Sequence, residues 1–195
     1  MIKSFSRRFI EDKLQLIKEA HEYLEGYYPK DFDCGKLCNK ACCRGEGEIW
    51  LLPYERFLYE DNGFGNSHDG MFEVKTYENN DGTSTDVLVC KGSCDDFRED
   101  RPFWCRIFPC FPIVTSEFDE ETEEEYISIR MRRDVRGGMC PMVRGEEDIR
   151  EDFAERVMEV VDLLCADDEM FEYFLKCGEF FTELEELYEK FEGNE

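Results

Sequence analysis

The chain has 195 residues, enough for one domain of ordinary size, and its 42% hydrophobic and 14% aromatic residues can form a core. Its 48 acidic and 24 basic residues give a formal net charge of −24. This charge repels phosphate backbones and anionic lipid surfaces, so composition argues against nucleic acid and membrane as partners.

The N-terminal region predicts an amphipathic helix over residues 7–26, which Gly26 and Pro29 would end. The residues on its apolar face are Ile10, Leu14, Ile17, Ala20, His21 and Leu24. Charged residues recur throughout this region, and no segment of the sequence has the apolar length of a transmembrane helix. We therefore predict a cytoplasmic protein, in which thiols are kept reduced.

The middle of the chain predicts short antiparallel strands. A buried strand is expected at Glu48–Leu52, and a short helix is expected to begin at Pro53. The turn "NNDG" predicts a hairpin over residues 71–89. A second, acidic hairpin is predicted with strands near 112–118 and 125–132.

The C-terminal region predicts two helices, over residues 147–166 and 168–192, with Gly178 as a possible bend in the second. The apolar face of the first helix consists of Phe153, Val157, Val160, Val161 and Leu164. We thus predict a single α+β domain over residues 1–195. Its irregular core, residues 34–141, would be stabilised by a bound metal. A helical hairpin, residues 147–192, would pack on this core.

Cysteine is the most informative residue type. The chain has 11 cysteines, an odd number that favours metal ligation over a disulfide framework in a reducing compartment. In the stretch "CGKLCNKACC" at residues 34–43, successive cysteines have spacings typical of metal-chelating pairs. Cys90 and Cys94 have a similar spacing. The adjacent Cys42 and Cys43 point in different directions on a helix or a strand, which favours a cluster or a double site. The predicted ligands are Cys34, Cys38, Cys42, Cys43, Cys90, Cys94, Cys105 and Cys140.

Three other cysteines are interpreted differently. Cys110, Cys165 and Cys177 lie among apolar residues and are expected to be buried as small hydrophobic side chains. The chain has only two histidines, so the predicted site is all-thiolate, which suits zinc or an iron–sulfur cluster and excludes magnesium and calcium. Arg101 and Arg106 are predicted to donate to ligand sulfur or to neighbouring acids, with a surface ion pair as the alternative for each.

The order of these motifs resembles a known family. The segments "CGKLCNKACC", "IWLLPYE", "RPFWCRIFP" and the final "CP" are together similar to the YkgJ-like cysteine-cluster family of zinc- or iron-chelating domains. The resemblance spans roughly residues 34–141. It implies that the eight predicted cysteines are ligands and that Arg101, Pro102 and Arg106 are motif residues. The first spacing is one residue longer than the family pattern, and Cys110 stands where the family usually has Phe.

The resemblance also suggests the kind of metal. A flagellin lysine-methylase that shares this domain resembles an iron–sulfur protein, which favours a [4Fe–4S] cluster over Zn²⁺. We therefore predict a metal-binding protein whose iron–sulfur centre is structural, transfers electrons or binds substrate. The alternatives are a zinc-stabilised scaffold for a protein or peptide partner and an iron–sulfur enzyme such as a protein-modifying methylase.

The case for an enzyme is open on the sequence alone. The sequence contains neither a glycine-rich nucleotide loop nor a CxxxCxxC radical signature. His68 and Tyr54 are interpreted as a loop residue and a packed aromatic residue, respectively, in preference to acid–base groups. The sequence leaves the oligomeric state undefined.

Overall fold

The computed structural model describes residues 7–37, 48–60, 71–79, 82–91, 100–119, 124–134 and 140–192. Helices and antiparallel strands both contribute, which confirms the α+β class. The chain divides into two compact units, each made of two separate stretches. Unit 1 contains residues 1–25 and 43–106, and unit 2 contains residues 26–42 and 107–195. The single-domain organisation stays a prediction.

Unit 1 begins with helix α1, Arg7–Tyr23, as the apolar periodicity predicted. Its buried residues are Leu14, Ile17 and Ala20. The helix ends three residues before the predicted boundary, and Gly26 then adopts a φ of +77°, in the left-handed region that glycine enters without steric cost.

A three-stranded antiparallel sheet forms the second part of unit 1. The predicted hairpin consists of β2, Phe72–Glu78, and β3, Ser84–Cys90. Strand β1, Glu48–Trp50, pairs with the other edge of β3, so that the strand order is β1–β3–β2. The core of the sheet region is formed by Leu51, Tyr59 and Leu88, with Leu58, Phe72, Val74 and Cys90 packed against them.

The segment after β1 corrects the prediction of a helix that begins at Pro53. Pro53 and Tyr54 form a turn, and a 3₁₀-helix follows at Glu55–Leu58. Tyr54 has a φ of +69°, a left-handed conformation that is strained for a residue other than glycine. Its ring contacts Phe9 edge-to-face and stacks on Phe57, which agrees with its interpretation as a packed aromatic residue.

Unit 2 contains the short helix α2, Cys34–Leu37, and a two-stranded hairpin of β4, Cys110–Asp119, and β5, Glu124–Arg133. The hairpin is the predicted one with longer strands. Two helices follow, α4 at Glu151–Cys165 and α5 at Asp168–Glu192. A further short helix, α3 at Phe103–Ile107, spans the boundary between the units, which falls after Arg106.

The core of unit 2 lies between the hairpin and the C-terminal helices. The rings of Phe111 on β4 and Phe181 on α5 stack with centroids 4.2 Å apart, and neither is exposed. The five residues of the predicted apolar face of α4 are all buried, namely Phe153, Val157, Val160, Val161 and Leu164.

Helix α5 runs as one helix through Gly178. This glycine marks the place where the helix approaches β4 most closely, because a Cβ at Gly178 would lie 2.9 Å from the backbone oxygen of Val114. We expect Gly178→Ala to destabilise the protein, since an overpacking cost of about 1–3 kcal/mol outweighs a gain of at most about 1 kcal/mol in helix propensity. Urea denaturation would measure the difference, with the exposed neighbour Glu179→Ala as control. A more stable Gly178→Ala variant would contradict the close approach.

Residues 27–31, which we call the strap, contact α4 and the residues just before it. Arg156 donates to the Tyr27 hydroxyl at 2.7 Å, and its guanidinium lies over the Tyr27 ring at 4.3 Å. The backbone N–H of Arg150 donates to the Pro29 carbonyl at 3.1 Å. Lys30 Nζ lies 2.9 Å from Asp148 Oδ1. The strap ends three residues before Cys34, the first predicted ligand.

Asp148 gives this region a pH dependence. Its carboxylate accepts the backbone N–H of Arg144 at 2.8 Å and pairs with Lys30, and together these lower the pKa of Asp148 to about 2. A carboxyl whose pKa is lower in the folded state stabilises the fold above its unfolded pKa, about 3.9, and loses this effect as pH falls towards 2. We expect Asp148→Asn to show a smaller loss of stability between pH 4 and pH 2 than the unaltered protein, as measured by thermal unfolding. Equal acid sensitivity of the two proteins would contradict this assignment.

None of the helices in the described ranges combines the length and the apolar character needed to cross a membrane.

Candidate metal centre

The predicted ligands are only partly within the described ranges. Cys38, Cys42, Cys43 and Cys94 lie outside them, and Cys34 is described only in its backbone, as the first residue of α2. Cys90 and Cys105 belong to unit 1 and Cys140 to unit 2. The cysteines with described side chains are thiols and not half-cystines: Cys90, Cys105, Cys110, Cys140, Cys165 and Cys177.

Cys105 lies in the first turns of α3, a short helix that follows Pro102. The backbone N–H groups of Cys105 and Arg106 both donate to the Pro102 carbonyl, at 3.0 and 3.2 Å. The flanking aromatic residues are buried, and Trp104 contacts both Phe103 and Trp50 edge-to-face. The thiol itself is partly exposed. Cys105 is therefore a partly accessible thiol on a backbone fixed by buried neighbours.

Two arginines near Cys105 in the sequence lie close to each other. Arg106 Nε donates to the backbone oxygen of Arg101 at 2.8 Å. Burial lowers the pKa of Arg106, and the nearby Arg101 guanidinium lowers it further. Arg106 nevertheless stays protonated, because the pKa of arginine is so high. The residue that follows Cys105 in the chain is therefore a largely desolvated cation in a strongly acidic protein.

The buried carboxylate of Glu55 connects the Cys105 turn to α1 and to the segment after β1. Its Oε1 accepts the backbone N–H of Phe103 at 2.8 Å, and its Oε2 accepts that of Leu52 at 2.9 Å. His21 Nε2 on α1 lies 3.0 Å from Oε1, within hydrogen-bond distance. Glu55 has no exposed surface. A buried carboxylate is tolerated only when such donors satisfy it.

Sequence reasoning missed both members of this pair. His21 had been interpreted as part of the apolar face of α1, and Glu55 had been given no role. The signal that could have found Glu55 is its position in "LLPYERFLY", where Glu55 and Arg56 interrupt an apolar and aromatic stretch. A charged residue in such a setting is usually buried with partners or lies at a site.

Tyr59 makes a hydrogen bond to the segment that precedes the Cys105 turn. Its hydroxyl donates to the Asp100 carbonyl at 2.9 Å, which fixes the segment just before the Arg101–Pro102 motif. Burial raises the pKa of Tyr59 well above its usual value, and the nearby Glu55 carboxylate raises it further. Tyr59 is therefore a neutral hydrogen-bond donor at physiological pH.

Two further predicted ligands with described side chains, Cys90 and Cys140, lie away from the Cys105 turn in the sequence. Cys90 is the last residue of β3 and packs against the apolar core of unit 1. Cys140 is buried, in the loop that follows β5. The described residues contain no group of three or more His, Cys, Asp or Glu side chains arranged to hold a metal ion.

The three cysteines left out of the ligand set are enclosed to different degrees. Cys110 and Cys177 are buried, as predicted, whereas Cys165 is only partly buried. Burial raises the pKa of the Cys110 thiol, as does the nearby Cys140. Burial also raises the pKa of Cys165, to about 12. These environments disfavour the thiolate that a metal requires.

The donor chemistry of unit 1 fits a thiolate-ligated metal. Thiolates are soft ligands that suit zinc and iron–sulfur clusters, and cationic or N–H donors beside the sulfur stabilise such sites. Cys105 is partly exposed, lies on a fixed backbone and is followed in the chain by the desolvated Arg106, features that are compatible with this chemistry.

Comparison of the chain with protein-family models, with curated proteins and with solved structures found no match in any of the three.

Proposed function

We propose that this protein binds an all-cysteine metal centre, a [4Fe–4S] cluster in preference to Zn²⁺. The observation that carries the proposal is the Cys105 turn, where a partly exposed thiol on a fixed backbone is followed in the chain by the desolvated Arg106, whose Nε donates to the Arg101 carbonyl. A centre ligated only by thiolates is anionic, and the two guanidiniums would offset its charge. The resemblance of the cysteine motifs to the YkgJ-like family supports the same reading.

The proposed ligands are the eight cysteines of the motifs, which supply more thiolates than one four-coordinate ion requires. Arg101 and Arg106 are proposed to orient the site. The bound centre would stabilise the cysteine-rich segments, because metal ligation supplies folding free energy where regular structure is sparse. An iron–sulfur cluster held there would also supply one-electron chemistry.

Anaerobic purification followed by a visible absorption spectrum and counts of iron, acid-labile sulfide and zinc per chain tests this proposal. We expect a coloured protein with equal amounts of iron and sulfide, and bleaching when a chelator is added. A colourless protein that contains only zinc would overturn the iron–sulfur assignment and leave the zinc scaffold. A protein that folds equally well and contains neither metal would overturn metal binding itself.

A further inference from the structure

We propose that Glu55 is a positioning residue for the metal centre and acts by holding the Cys105 turn in a ligating arrangement before the metal binds. The inference rests on the proposed function and assigns a role to a residue outside the cysteine and arginine motifs. Its basis is the set of hydrogen bonds that converge on one fully buried carboxylate in unit 1.

The position of the accepted N–H groups explains why Glu55 acts on Cys105. Phe103 is the first residue of α3, and its N–H is one of the donors that a helix leaves without an intrahelical partner. Glu55 Oε1 accepts this N–H at 2.8 Å. Phe103 lies two residues before Cys105 in the chain. The carboxylate thereby fixes the start of the turn that carries the thiol.

Two further contacts hold the Glu55 carboxylate in place. The Glu55 Oε2 atom accepts the N–H of Leu52, which lies three residues earlier in the chain. Leu52 is fully buried. His21, 3.0 Å from Oε1, holds the carboxylate from α1. Because Glu55 is held from two sides, it transmits the position of the β1 segment to the Cys105 turn. Outer residues that orient ligands in this way typically contribute about 10–100-fold to metal affinity.

Two substitutions separate positioning from simple stabilisation. Glu55→Gln can keep an acceptor at Phe103 through its amide oxygen, but its NH₂ group cannot accept the Leu52 N–H, which then loses its acceptor. Glu55→Met has similar length and no comparable acceptor, so it leaves the Phe103 N–H without its partner. Glu55→Asp, whose carboxylate is withdrawn by one methylene, serves in place of Glu55→Met if that variant does not fold. Glu48→Gln is the matched control, because Glu48 accepts from Lys75 and Tyr77 on an exposed face of the same unit.

The experiment measures the chelator concentration that removes half of the metal with which each protein is purified, at a temperature where all variants are folded. We expect this concentration to fall about 10–100-fold in Glu55→Met, and less in Glu55→Gln. It should be unchanged in Glu48→Gln. Hydrogen exchange at the Phe103 amide should be fast in Glu55→Met and slow in Glu55→Gln.

The outcomes distinguish the two proposals. Unaltered protein that is purified without metal would overturn the proposed function, and this inference with it. If the unaltered protein holds metal, retention in folded Glu55→Met (or in Glu55→Asp) equal to that of the unaltered protein would overturn the positioning role alone. If the Phe103 amide is still protected from exchange in Glu55→Gln, an equal loss of metal in Glu55→Gln and Glu55→Met would also overturn it, because the retained acceptor would then have no effect.

Discussion

Replacing Cys105 by serine is expected to remove the metal from the purified protein or to weaken its retention by more than the roughly 10–100-fold typical of an outer residue. Serine keeps the size of the side chain but is a much poorer ligand for a soft metal than a thiolate. Metal analysis and the visible spectrum of the anaerobically purified variant would measure the loss.

Cys165→Ser is the matched control for this substitution. Cys165 is also a partly exposed thiol, but it lies on helix α4, and burial raises its pKa to about 12. We expect this variant to keep the metal content of the unaltered protein. Full metal content in Cys105→Ser would exclude Cys105 from the ligand set and remove the main support for the proposed centre.

Replacing Phe181 by alanine is expected to destabilise the protein by about 3–5 kcal/mol. The ring is fully buried and stacks on Phe111, so its removal leaves a cavity between α5 and β4 and deletes an aromatic pair. Urea denaturation followed by circular dichroism would give the change in the free energy of unfolding.

Phe180, the preceding residue, provides the control for Phe181. Its side chain is 44% exposed on the same helix. Phe180→Ala should therefore change stability by only about 0.5 kcal/mol. Similar losses for the two variants would show that the orientation of α5 on β4 differs from the one described.

The local patterns in the sequence were sufficient to predict most helices and strands. The face of α4 followed directly from apolar residues at helical spacing, and the β2–β3 hairpin followed from the turn "NNDG". These features depend on neighbours within a few residues. The pairing of β1 with β3 depends on residues about 40 positions apart, and alternating hydrophobicity does not specify such a partner.

The errors have physical causes that lie outside local patterns. Proline is common at the first position of a helix, but here Tyr54 adopts a left-handed conformation that delays the 3₁₀-helix to Glu55. The close approach at Gly178 was not predicted, because it depends on the backbone of Val114, more than 60 residues away in the sequence. Neither effect is encoded in nearby residues.

The candidate site was predictable in residue type but not in its supporting contacts. Spacing and the predicted compartment favoured cysteines as ligands, and Arg106 was predicted to support the site because it follows Cys105; both stay predictions. The role of Glu55 was not predictable in this way, because its partners Phe103 and Leu52 contribute backbone N–H groups that any residue could supply. Only the fold reveals which backbone donors meet at a buried carboxylate.

The strap of residues 27–31 has a consequence for dissecting the protein into fragments. A fragment that ends at residue 145 would retain all eight proposed ligands and yet lack Asp148, Arg150 and Arg156, the partners of the strap. The segment that leads to Cys34 would then lose its attachment to α4. The C-terminal helices thus cannot be treated as a removable appendage, and a minimal metal-binding fragment cannot be defined by the cysteine motifs alone.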